Sequence, residues 1–172
     1  MYPKAYLDYL YHFHCDRDYF ECHEVLEEYW KEKDAAERDI HWVGLIQIAV
    51  GLYHHRRKNF SGALRMLQNA CRIIGKESAE IEALGLDSGR LVEALEERVV
   101  CVTKQEPYES MNLPIADPDL QLSCDAMAQS ASKVWGAASD LLNESLVNRH
   151  TVRDRSDVIE ERKRQLDLRK KG

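Results

Sequence analysis

The feature that most limits how this chain can fold is Trp42-Val43-Gly44-Leu45-Ile46-Gln47-Ile48-Ala49-Val50-Gly51-Leu52-Tyr53. Wound at about 3.6 residues per turn, this stretch is apolar nearly all round, and such a helix needs neighbours on several faces. It falls well short of the ~20 apolar residues that a membrane span requires. It therefore reads as a central core helix, predicted over about 40–58, with the remaining elements gathered around it. Its end, His54-His55-Arg56-Arg57-Lys58, supplies cations where the helix dipole is negative.

Gly44 and Gly51 are seven residues apart and share one face of this helix. Glycine inside a helix costs ~1 kcal/mol against alanine, so two in register predict a groove where another helix comes close. Gln47 and His54, also seven apart, run along the edge of that groove.

The rest of the chain has helical punctuation. Pro3 suits a first helical turn, and Tyr6, Leu7, Leu10, Tyr11 and Phe13 predict a helix over about 3–15. Asp18 and Glu21 have capping-box spacing and open a second helix over about 19–33. Its apolar arc is Tyr19, Cys22, Val25, Leu26, Tyr29 and Trp30, while Glu21, Glu24, Glu27 and Glu28 surround Phe20 on the other side. After Asn59-Phe60-Ser61-Gly62 a fourth helix is predicted to about Gly75, then a short one over 77–84. A longer one, capped by Asp87 or Ser88, runs to about 105. No stretch reads as a strand pair with a hairpin turn. The fold expected is all-α: a compact bundle of about five to seven helices with a C-terminal helical arm. It divides into a helical core over 1–105, a Pro-containing loop over 106–122 (Pro107, Pro114, Pro118), and a C-terminal helical segment with a charged arm over 123–172.

Charge and cysteine usage exclude several functional classes. The net charge is −6, yet from Arg149 to the end nine Lys and Arg face five Asp and Glu, so the body carries −10. An acidic body repels a phosphate backbone, which leaves the basic arm as the one candidate surface for nucleic acid. Acids interrupt that basic run, so a solvated helical arm is the plainer reading. Cys15, Cys22, Cys71, Cys101 and Cys124 are odd in number and widely spaced, which is neither a disulfide framework nor a zinc ribbon. Scattered thiols, with no signal sequence and no membrane span, lead to a cytoplasmic expectation.

One polar constellation stands out. His23 and Glu27 are four apart on the second helix and meet on one face. If they pack across the glycine groove, they reach Gln47 and His54 and form a buried polar cluster between the second and third helices. The aromatics Tyr19, Phe20, Tyr29, Trp30, Trp42 and Tyr53 could line a small-molecule pocket, although aromatics at helical spacing are more often core.

At these residues the chain resembles a bacterial and archaeal family known as domain of unknown function 309. The resemblance rests on residues 19–30 and 44–55, extended by Asn59 and Gly62-Ala63. It is strong over about 12–70 and weak through 105–135. The segment from about Asn148 to Arg164 resembles an extension in members from Gram-positive spore formers. The resemblance implies a compact helical fold and no particular activity. Its recurring polar positions match His23, Glu24, Glu27, Gln47, His54 and Asn59.

Two kinds of function remain open. A zinc-protease helix carries two His four apart, but Glu27 stands where the second would be, and no Glu is followed three residues later by His as in di-iron bundles. His23, Glu27 and His54 could still hold Zn or Fe, or act as an acid–base hydrolase. The leading expectation is a non-enzymatic ligand-binding or interaction domain with no cofactor, taking a small molecule or a protein partner.

Overall fold

A computed structural model describes residues 2–149 together with Arg164. Eight α-helices occur among the described residues, and no strand beyond an isolated bridge between Leu86 and Ile115. They are α1 (Lys4–Tyr11), α2 (Tyr19–Lys31), α3 (Ile40–Arg56), α4 (Phe60–Lys76), α5 (Ser78–Ala83), α6 (Ser88–Thr103), α7 (Pro118–Ser130) and α8 (Glu144–Val147). The bundle is all-α as expected, with α3 between α2 and α4, α6 against the far side of α4, and α1 against α2 and α7.

Local chemistry sets most helix starts. The Asp18 side chain accepts from the Glu21 N–H at 3.1 Å and opens α2. Only this half of the capping box forms, because the Asp18 N–H is taken by the His12 carbonyl. Asn59 and Asp87 cap α4 and α6 in the same way. Gly75, expected to end α4, lies inside it and faces open space. Pro118 sits in the first turn of α7, so the loop closes at Asp117, earlier than the expected 122. Residues 131–143 are turns and irregular backbone, not helix. Apart from Arg164, which is helical and exposed, the C-terminal arm lies outside the described residues.

The glycine face of α3 does mark a close approach, but the partner is α4, not α2. A Cβ on Gly51 would sit 2.7 Å from the Leu67 side chain, and one on Gly44 would sit 2.9 Å from Ile73 Cγ2. With α4 seated on the glycines, α2 packs about a third of a turn round α3, against Val50, Tyr53 and their neighbours.

The first helix does not simply run on to residue 15. It passes into a π-helical turn over His12–Asp16 and stops at Arg17, whose φ of 55° is left-handed. This turn places His14, Cys15 and Arg17 inside the protein. His14 Nδ1 donates to the Leu10 carbonyl at 2.8 Å, and Nε2 accepts the Leu113 N–H at 2.9 Å. The neutral ring stacks on Trp135 at 4.2 Å. Burial, with the Arg17 charge nearby, holds its pKa down to about 3.

Arg17, only 1% exposed, donates to the carbonyls of Ala137 (2.7 Å) and Met111 (2.5 Å) and to Asn112 Oδ1 (2.7 Å). Arg56, from the end of α3, turns inward, donates to the Arg17 carbonyl at 2.7 Å and lies over the Tyr19 ring. Thus residues 106–149 are fastened onto the helical core by side chains from its first 56 residues. Leu113, Leu120, Cys124 and Leu146 complete the attachment by burial.

Candidate functional site

The site is a cavity of about 260 Å³ between α2 and α3, lined by Tyr19, Phe20, His23, Val50, Tyr53, His54 and Arg57. Positions 19, 20 and 23 come from the first turns of α2, 50, 53 and 54 from the last turns of α3, and 57 from its C-cap, so helical spacing puts each set on one side. The floor is aromatic. Phe20 and Tyr53 rings lie 6.0 Å apart, and Tyr19 is fully buried behind them. Its hydroxyl meets that of Tyr108, which also bonds Ser139 Oγ at 2.8 Å. The same Tyr19 ring lies 4.7 Å under Arg56. The pocket wall is therefore held from behind by the network that fastens residues 106–149.

The rim is polar. Asn59 caps α4 with Oδ1, so its Nδ2 is left to donate to His54 Nδ1 at 3.2 Å. The Arg57 guanidinium lies 5.3 Å over the Tyr53 ring, and its Nε donates to Asn148 Oδ1 at 3.0 Å. On α2, His23 Nε2 pairs with Glu27, which also takes the Lys31 ammonium at 2.5 Å. Burial would raise the Glu27 pKa, but the Lys31 hydrogen bond and the His23 charge outweigh it and hold the carboxyl below its ordinary value.

The structure brings together only part of the expected constellation. His23, His54, Tyr19, Phe20 and Tyr53 share the pocket, and Asn59 reaches His54. The buried His/Glu/Gln cluster does not form: the His23 and Glu27 side chains are 30% and 32% exposed and stay on the rim, because α4 occupies the groove they were expected to cross. Glu24 lies 42% exposed beside His23, outside the lining. Gln47 is half-buried away from the pocket, and its Oε1 finds no hydrogen-bond partner among the described residues. Trp42 packs edge-on against Tyr6 and Tyr29 in the core, and Trp30 donates to the Asp39 carbonyl at 3.1 Å, so neither lines the pocket. Among the described residues no three His, Cys, Asp or Glu side chains form a group that could hold a metal ion. His23 and Glu27 engage each other while His54 turns to Asn59.

Arg57 had a signal in the sequence that its neighbours obscured, since it reads as one of the cations of the helix end. Val50 was indistinguishable from the core residues beside it.

The comparisons with known proteins agree with this geometry in extent. A family model described as "Domain of unknown function (DUF309)" matches residues 6–66, which includes all of α2 and α3. The chain is also 48% identical over its full 172 residues, and 99% of the other protein, to the "Uncharacterized protein YpuF" of Bacillus subtilis (strain 168). The chain belongs to the DUF309 family. The family match holds every pocket residue, while the fastened segment 106–149 falls outside it and inside the full-length relative. No solved structure matches the chain. No described helix is long and apolar enough to cross a membrane.

Proposed function

We propose that this protein is a non-enzymatic interaction domain whose α2/α3 pocket takes one apolar anchor side chain from a basic helical segment. The observation that carries the reading is a small aromatic floor beside an acidic helix face. Pockets for whole small molecules measure ~300–1,000 Å³, and this one, at about 260 Å³, is below that range. It is sized for a side chain. Phe20, Val50 and Tyr53 offer it apolar contact, and Glu21, Glu24 and Glu28 run along α2 beside Phe20, where a partner's Arg or Lys would meet them. None of the lining residues is a Ser, Thr or Cys for His23 to activate, and of the two lining tyrosines Tyr19 has its hydroxyl bonded to Tyr108.

The test is fluorescence polarisation with a labelled synthetic helical peptide carrying one Leu and Arg residues three and four positions away. Saturable binding is expected. Replacing its Leu by Ala should weaken binding about tenfold or more, since burying a Leu is worth ~1.5–3 kcal/mol. Val50→Arg in the protein, which fills the pocket from a half-buried position, should abolish it. Equal binding of the Leu and Ala peptides would overturn the reading.

A further inference from the structure

We infer that residues 150–172 of the chain itself are the pocket's resident occupant, so that an outside partner must displace them. The inference rests on the anchor-binding reading above and names what fills that site first. Three observations support it. The first is where the described chain leaves the core. Asn148 is bonded to Arg57 on the pocket rim, and Arg149 Nη2 pairs with Asp18 Oδ2 at 2.7 Å, at the very start of α2. The segment that follows starts beside the cavity.

The second is length and pattern. The segment has 23 residues, and Arg164 within it is helical. Set on a wheel at about 100° per residue, Val152, Arg155, Val158, Ile159, Arg162, Leu166 and Arg169 fall within one arc of about 120°. Asp154, Asp157, Glu160, Glu161 and Asp167 all fall outside it. One face is thus apolar residues interleaved with arginine and free of acid, which is the chemistry proposed for the partner. Wound as a helix, the sequence from Val158 to Leu166 would span about 12 Å, within the length of α2.

The third is charge. The segment carries eight Lys and Arg against five Asp and Glu, while the outer face of α2 around Phe20 presents Glu21, Glu24, Glu27 and Glu28. An apolar-and-arginine face laid along α2 places an aliphatic side chain over Phe20 and Val50 and guanidinium groups beside the glutamates. A second copy of the chain would offer the same face, but only at the effective concentration of free protein, whereas the tethered segment is held at the rim.

The experiment uses the full chain in two arms. In the first, p-benzoylphenylalanine replaces Ile159 in one protein and Leu168, which lies off the arc, in another. Each is irradiated as an equal mixture of ¹⁴N- and ¹⁵N-labelled protein. Cross-links from position 159 to residues of α2 and α3 around the pocket, within one chain, are expected, with fewer from position 168. In the second arm, Val158→Ser, Ile159→Ser and Leu166→Ser are combined, and the labelled peptide is titrated. Affinity should rise about tenfold if the wild-type pocket is open about a tenth of the time. Cross-links between chains, or from position 159 to other surfaces with peptide affinity unchanged, would overturn the inference. A peptide that binds neither protein overturns the anchor reading instead, and the cross-link map still reports where the segment lies.

Discussion

Acidification should loosen this protein through His14, and the size of the effect follows from its surroundings. The imidazole has no exposed surface, gives its one N–H to Leu10 and receives the Leu113 N–H on the other nitrogen. A second proton would have to sit where Leu113 already points a donor. The folded pKa is about 3, against 6.5 for an ordinary histidine. Between those values the unfolded chain binds a proton that the folded chain refuses. The contribution is therefore complete above pH 6.5 and falls away as pH drops towards 3, by ~1.4 kcal/mol per pH unit. From pH 7 to pH 5 the loss is about 2 kcal/mol. Burial also lowers the pKa values of His41 and His55, giving slopes of the same sign. At His12 burial is outweighed by the Asp16 hydrogen bond and the pKa rises, so its slope is opposite. These three remain in His14→Gln, whose amide keeps a donor and an acceptor without titrating. Urea unfolding of both proteins at pH 7 and pH 5 should show the wild type losing about 2 kcal/mol more than the variant. Parallel losses would refute the burial argument.

Other consequences are as direct. Gly51→Ala should lower the urea midpoint by the equivalent of ~1–3 kcal/mol, because its Cβ meets Leu67 at 2.7 Å. Gly75→Ala should raise it by ~0.5–1 kcal/mol, since nothing lies near that helical position. Arg17→Met strips three hydrogen bonds from a charged donor and should cost ~3 kcal/mol or more. Hydrogen exchange should then quicken first in peptides covering 106–149. His23→Gln, at a partly exposed rim pair, should cost under ~1 kcal/mol, with the same melting temperature with and without chelator.

The parts of the fold that were readable are those written in local spacing. The all-round apolar run announced a central helix because burial of every face leaves a pattern in twelve consecutive residues. Asp18 and Asp87 announced caps because the bond they make is three residues long. The glycine pair announced a close approach but not its partner, since a missing Cβ says nothing about which helix enters. Once α4 took that groove, His23 and Glu27 could not cross it. Least readable was the fastening of 106–149. Arg17 reaches backbone carbonyls at Met111 and Ala137, and a carbonyl is the same at every residue. Trp135, a large aromatic in a short turn, stacks on His14.

The central claim is that the α2/α3 pocket receives an aliphatic anchor, and the ¹³C-methyl resonances of Val50 test it most directly, since this valine lines the cavity and is not closed into the core. Titrating methyl-labelled protein with the Leu-bearing basic peptide should shift the Val50 methyls saturably. The largest shifts should lie there and not at Leu67 or Leu91, which are fully buried elsewhere in the bundle. Val50 methyls that stay in place while others move, or that move equally for the Ala peptide, would contradict the account.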